Sequence, residues 1–255
     1  MPKTIACYKW VADEADIKIN PDLSVDLSKA KGKISDYDKN AIEAAVQMAA
    51  VLNGKAAGLT FGAPGAKQSL KDALSRGLEE AVYVNAAAAP QADGAVTAAA
   101  LTAAIKKLDD VSLVICAEGA SDTFARQTAP RLGAMLDWPV VTSVCKMDLA
   151  GNTLTLVRKL DDCLQTVTTE LPAVIAVLPE INNPPIPGLK AVMAAGKKPV
   201  TEFKPEDLGI DLTPKIQVVQ TQGYVMNRKN IIFKTGEAPD KVKELVAALR
   251  KECAI

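Results

Sequence analysis

The sequence predicts an α/β protein built on a doubly wound parallel sheet. Short runs, Thr4 to Tyr8, Ala56 to Phe61, Ala81 to Val84 and Val111 to Cys116, are predominantly apolar without polar alternation, as strands buried on both faces are. Segments with helical periodicity lie between them, and strand–helix alternation implies right-handed crossovers onto one sheet. Turn residues punctuate the boundaries, Asn53-Gly54, Gly62-Ala63-Pro64-Gly65 and Gly77 among them.

Thr4 to Tyr8 opens the sheet, and Lys9-Trp10-Val11 leaves it at the carboxyl edge. Ile17 to Ile19 and Leu23 to Val25 flank the turn Asn20-Pro21-Asp22 and predict a small hairpin before the first helix. In that helix Ala41, Ala45, Met48 and Leu52, with Ile42 and Ala49 beside them, form one apolar stripe. A helix from about Lys67 to Arg76 follows the second strand, and an Ala-rich one from about Asp93 to Leu108 follows the third. Beyond Pro139 the pattern changes: Thr153 to Leu160 and Leu164 to Thr169 form a β-hairpin around Asp161-Asp162, and Ala173 to Val177 is a buried strand. Asn182 to Gly188 is proline-rich and irregular, and Leu189 to Ala195 has room only for a short helix. Residues 196–238 show little periodicity, though Ile216 to Val219 has strand character. Asp240 to Lys251 is a terminal amphipathic helix, whose apolar face either docks on another subunit or packs back on its own domain.

Composition narrows the function. The 255 residues with 49% hydrophobic content fill a sizeable core, and 30 basic residues balance 30 acidic ones, so no nucleic-acid footprint is expected. Apolar runs fall short of the length a membrane span needs and no leader pattern opens the chain, so a cytoplasmic protein without membrane insertion is expected. Histidine is absent, which removes the usual general base and the Ser-His and Cys-His nucleophile pairs. Five cysteines, Cys7, Cys116, Cys145, Cys163 and Cys253, are widely spaced and outline neither a metal site nor a disulfide framework. The dinucleotide fingerprint GxGxxG and the P-loop are both missing.

The central stretch runs from Leu113 to Pro139. A buried strand gives way to the small-residue turn Ala117-Glu118-Gly119-Ala120-Ser121-Asp122 and then to a helix, with Asp122 at the expected N-cap. In open parallel sheets the carboxyl ends of the strands form the ligand crevice, and helix N-termini there suit phosphate. Asp122 carries its own negative charge, so it is expected to cap the helix or bind ligand hydroxyls.

Several stretches occur together and in order: Cys7-Tyr8-Lys9-Trp10-Val11, Ile34-Ser35-Asp36-Tyr37-Asp38-Lys39-Asn40-Ala41-Ile42-Glu43-Ala44, Lys71 to Gly77, Glu118 to Pro139, Ile186 to Ala191 and Ala195 to Pro199. This ordered set resembles the small (beta) subunit of electron transfer flavoproteins, in particular the branch encoded with nitrogen-fixation and carnitine or caffeate metabolism genes. The resemblance implies a Rossmann-like nucleotide-binding domain over residues 1–199, with a recognition loop at about 180–195. Residues 200–255 would form an arm and helix packing on a larger alpha subunit. It implies an electron carrier rather than a stand-alone enzyme, with an FAD held between the subunits. Its dehydrogenase or reductase partner would be of the acyl-CoA type. The beta subunit's own pocket would hold AMP in a simple carrier or a second FAD in an electron-bifurcating one. A stand-alone adenine-nucleotide-binding module remains the other reading.

Carried over by position, the implied pocket comprises Cys7, Lys9, Ser35, Asp36, Tyr37, Asp38, Phe61 and Gly62, together with Ala117, Glu118, Gly119, Ala120, Ser121, Asp122, Thr123, Phe124, Ala125, Arg126, Gln127 and Thr128. The amides after Ser121 would face phosphate, Gln127 and Thr128 would add side-chain hydrogen bonds, and Asp36 or Asp38 would meet ribose or adenine. Arg126 either contacts phosphate or lies on the helix surface. Leu189 matches the leucine with which the family's recognition loop anchors the dehydrogenase. Two departures stand out: Gln127-Thr128-Ala129 replaces the more usual Gln-Thr-Gly or Gln-Val-Gly, and Ser35-Asp36 stands where Asn-Pro is common.

Overall fold

The computed structural model describes residues 1–224 and 228–255. They divide into a larger compact unit, Met1–Lys18 with Asp26–Thr221, and a smaller one, Ile19–Val25 with Gln222–Ile255. The strands are β1 (Lys3–Cys7), β2 (Trp10–Ala12), β3 (Lys18–Ile19), β4 (Val25–Asp26), β5 (Gly32–Ile34), β6 (Lys55–Gly62), β7 (Glu80–Asn85), β8 (Val111–Ala117), β9 (Val140–Ala150), β10 (Thr153–Lys159), β11 (Leu164–Glu170), β12 (Ala173–Val177) and β13 (Val200–Phe203). The α-helices are α1 (Asp36–Val51), α2 (Ser69–Ser75), α3 (Gly94–Ile105), α4 (Thr128–Leu136), α5 (Leu189–Ala195), α6 (Pro205–Leu208) and α7 (Ala238–Lys251).

Nine strands make one sheet in the order β11-β10-β9-β12-β8-β1-β6-β7-β13. All its neighbours pair in parallel except β10, which runs antiparallel to both β9 and β11. The fold is therefore the expected α/β class, and the predicted hairpin is the end of the same sheet. Strand side chains alternate between two apolar layers. Ala6, Ala56, Ile115 and Ile175 pack with Ala41, Ala45, Met48 and Leu70 of α1 and α2, while Ile5, Leu59, Val114 and Val174 pack with Leu101 of α3 and Leu132 of α4. Each fully buried leucine or isoleucine in these layers contributes about 1.5–3 kcal/mol.

The stripe predicted for α1 is the face laid on the sheet. Asp93 caps α3, its Oδ1 accepting hydrogen bonds from the Ala95 and Val96 amides at 2.8 and 2.9 Å. That satisfies two of the helix's orphan donors, a role worth about 1 kcal/mol.

Two expectations need correction, and two strands were not among the expected elements. Helix α4 begins at Thr128 with Gln127 at its cap position, so Asp122 lies six residues into a separate turn and caps nothing. β9 was not anticipated, because Ser143 adopts a left-handed φ of 59° and the pairing with β10 and β12 slips beside it, which breaks the period-2 pattern. Ile216 to Val219 forms no strand; Ile216, Val218 and Val219 lie exposed without a sheet to bury them. β13 instead joins the β7 edge with only Phe203 partly buried, too little apolar pattern to mark it in advance.

In the smaller unit Ser24 and Gln222 form an isolated bridge, and the Gly223 amide donates to the Leu23 carbonyl at 2.7 Å. Helix α7 leaves Val242 and Leu245 exposed on its apolar face.

Candidate functional site

Strand order places the site. From β1 the chain winds through α1 to β6 and through α2 to β7, then α3 carries it back to β8 on the other side of β1. Loops leaving β1 and β8 therefore diverge, and a crevice opens between their carboxyl ends, the usual place for a ligand in such sheets.

Three segments are fastened together there. The Ser35 amide donates to the Lys9 carbonyl at 3.0 Å, and the Lys9 amide donates to Asp38 Oδ2 at 2.8 Å. The fully buried Ser35 hydroxyl accepts from the Ser121 amide at 3.1 Å, tying the turn after β8 to the start of α1. Burial pushes the Asp38 carboxyl up to about 7; the Lys9 amide and ammonium oppose that shift and the Asp122 charge adds to it. Asp36 behaves differently. Partial burial would raise its carboxyl, but hydrogen bonds from Lys33 at 2.8 Å and Lys39 at 2.5 Å outweigh it and hold the group below the ordinary range.

The turn from Ala117 to Gln127 closes on itself. Its Glu118 amide donates to the Val177 carbonyl at 3.0 Å, and the Phe124 amide donates to the Ala120 carbonyl at 2.9 Å. The Thr123 amide donates to Asp122 Oδ1 at 2.8 Å, so the amides of Thr123 and Phe124, expected to face phosphate, are instead both turned inward onto the turn's own acceptors. Phe124, at a left-handed φ of 45°, lays its ring over Gly119, where a Cβ would come within 2.7 Å of Phe124 Cδ2. Only glycine permits that approach. The ring of Tyr37 meets Phe124 at 5.2 Å in a tilted arrangement, and the Arg126 guanidinium lies 5.5 Å above the other aromatic centre, that of Phe124. Arg126 also pairs with Glu118, and Lys9 Nζ lies 2.6 Å from Asp122 Oδ2. Glu118 and Arg126 also border a cleft of about 440 Å³ walled by Thr142, Ser143, Lys159 and Asp162.

Of the residues expected to line one pocket, the structure brings together Lys9, Ser35, Tyr37, Asp38 and Glu118 to Arg126. Arg126 belongs to the turn and not to a helix surface. Cys7 and Cys116 are register neighbours buried in the layer under α3 and α4; the hydrogen bond between them, with burial, pushes the Cys116 thiol up. Ala117 is buried at the end of β8 and Ala125 is exposed in the turn. Phe61 packs on the same layer as the cysteines. Gly62 accepts from the Ala86 amide at 3.0 Å and is too close to Ala66 for a side chain, whose Cβ would stand 2.6 Å away. Gln127 Oε1 accepts from Arg131 Nε at 3.2 Å, within α4's first turn, and Thr128 is half-buried at its start.

Leu189 opens α5 and is 77% exposed, and Ile186 three residues earlier is 94% exposed. A clasp holds this loop: Asn40 Nδ2 of α1 donates to the carbonyls of Pro179 at 3.0 Å and Asn182 at 2.9 Å, while Asn182 Nδ2 donates back to the Asn40 carbonyl at 3.0 Å. Sequence reasoning gave Asn40 no role. Its polarity within an otherwise apolar helical stripe was the available signal. Lys198 was likewise unassigned; its ammonium donates to the carbonyls of Leu74 and Leu78 at 2.8 and 2.5 Å, closing the carboxyl end of α2.

Chemically, the crevice offers two cations, two aromatic faces, a buried hydroxyl and a buried carboxylate. Fold and site together define an open α/β protein with its ligand crevice at the topological switch point. The family model for the electron transfer flavoprotein domain matches residues 22–208, more than half of the sequence. The chain belongs to the electron transfer flavoprotein family, and is thus an electron-transport protein of the flavoprotein type. Among the described residues, no helix is long and apolar enough to cross a membrane.

Proposed function

We propose that this chain is the small (beta) subunit of a cytoplasmic heterodimeric electron transfer flavoprotein, exchanging electrons with an acyl-CoA-type dehydrogenase or reductase. The family match over residues 22–208 carries this reading. The exposed apolar residues Ile186 and Leu189, framed by prolines and fixed by Asn40, support a docking loop. The unburied apolar face of α7 supports an arm that packs on a larger alpha subunit.

The crevice fits an adenine nucleotide. Lys9 and Arg126 supply charge for phosphates, Tyr37 and Phe124 supply ring faces, and Ser35, Asp38 and the turn from Ala117 to Thr128 supply polar partners. A bound FAD would carry the electrons, while the chain's residues bind it and orient it. In our reading the branch resemblance favours FAD over AMP in this pocket, and with it electron bifurcation.

The test is to purify the chain with whatever subunit accompanies it, release its ligands with acid and count them by chromatography. Two or more FAD per heterodimer without AMP supports a bifurcating flavoprotein. One FAD with one AMP refutes bifurcation and indicates a simple carrier. Absence of both flavin and partner, with a colourless monomer binding AMP, refutes the subunit assignment and indicates a stand-alone nucleotide-binding module.

A further inference from the structure

Two cations stand at the crevice, and both are held by carboxylates of the same turn. Lys9 Nζ is 2.6 Å from Asp122 Oδ2, and Arg126 is paired with Glu118. The turn's backbone has other supports: the Ser121 amide on the Ser35 hydroxyl, the Phe124 amide on the Ala120 carbonyl, and the Phe124 ring on Gly119. The Lys9 and Asp122 side chains are 47% and 33% exposed, so water competes for both and their pairing is readily exchanged.

Resting on the nucleotide-site reading above, we propose that Asp122 and Glu118 are built-in competitors for ligand phosphate. They pair with Lys9 and Arg126 in the structure, and the ligand binds by exchanging phosphate for carboxylate. The inward-turned amides of Thr123 and Phe124 fit this account, because a turn satisfied by its own groups is complete without an anion. Exchange also sets a selectivity: a ligand must bring negative charge to displace the carboxylates, so the site discriminates a nucleotide from its uncharged nucleoside. A contrasting role for Asp122, accepting hydrogen bonds from ribose hydroxyls, makes its charge an asset to every nucleoside and predicts the opposite sign on removal.

Calorimetric titration of AMP and of adenosine into the full chain, stripped of nucleotide and kept with any subunit that accompanies it, separates the two. The proteins compared are the wild type, Asp122→Asn and Glu118→Gln. Removing one unit charge about 6 Å from a phosphate dianion in water favours binding by about tenfold. Asp122→Asn is expected to bind AMP about tenfold tighter while its adenosine affinity is unchanged, and Glu118→Gln to tighten AMP in the same direction. Glu118→Gln also serves alone if Asp122→Asn does not fold. Unchanged AMP affinity in the variants, or equal weakening of AMP and adenosine, overturns the exchange proposal while leaving the nucleotide site standing. Failure of all three proteins to bind AMP overturns the nucleotide site and the exchange with it.

Discussion

Replacing Asp38 by asparagine should remove part of the pH dependence of folding. Burial moves the Asp38 carboxyl from 3.8 to about 7 in the folded protein. The unfolded chain releases this proton near the ordinary value, so between the two values the folded state binds more protons than the unfolded state. Stability therefore falls as pH rises through that window, and the contribution present below the unfolded value is lost above the folded one. At 1.36 kcal/mol per unit, the full interval from 3.8 to about 7 amounts to about 4 kcal/mol, of which about 3 kcal/mol falls between pH 5 and pH 8. Asparagine retains an oxygen for the Lys9 amide, now 2.8 Å from Asp38 Oδ2, and cannot ionise. Urea unfolding of wild type and Asp38→Asn at pH 5, 6, 7 and 8 isolates the group, because every other titration is common to both proteins. The wild type should lose about 3 kcal/mol relative to the variant between the extremes. A stability difference that does not change with pH would refute the assignment of a buried, proton-holding carboxyl at this position.

Lys198→Met removes the ammonium that closes α2 on the Leu74 and Leu78 carbonyls and should cost about 2 kcal/mol in urea unfolding; wild-type stability would show that water replaces it freely. Asn40→Leu breaks the clasp on Pro179 and Asn182, with an expected loss of about 2 kcal/mol and faster limited proteolysis within residues 179–188; an unaltered cleavage pattern would refute the clasp. Gly133→Ala in α4 sets a Cβ 1.8 Å from Val140 Cγ2 and 3.1 Å from the Trp138 carbonyl. It should destabilise by about 1–3 kcal/mol, and an unchanged unfolding midpoint would contradict the close packing of α4 on β9.

Local patterns made much of the fold legible. The α1 stripe of Ala41, Ala45 and Met48 follows from the 3.6-residue turn, and the runs that became β1, β6, β8 and β12 are predominantly apolar on both sides because both faces of the sheet are covered. The hairpin of β10 and β11 was equally readable, with turn residues between two alternating segments. Where a local signal was weak or misleading, long-range partners settled the outcome. The left-handed Ser143 hid β9, and β13 exists because β7 offers a free edge for residues with little strand pattern of their own. Ile216 to Val219, with better strand chemistry, has no such edge and stays irregular.

At the crevice the division is similar. The residue types were set out along the chain: a lysine after the first strand, a serine and aspartates opening the first helix, and a small-residue turn after Cys116. By itself the sequence determined the alternation of buried strands with amphipathic helices and the chemical inventory at their carboxyl ends, because both depend on side chains near one another in the chain. Which aspartate is buried, which carboxylate holds Lys9 and which asparagine holds the exposed loop were decided only by the tertiary structure. Hydrogen bonds and charge pairs act over a few ångströms, and here the fold supplies those distances between residues as far apart in sequence as Lys9 and Asp122, or Asn40 and Asn182.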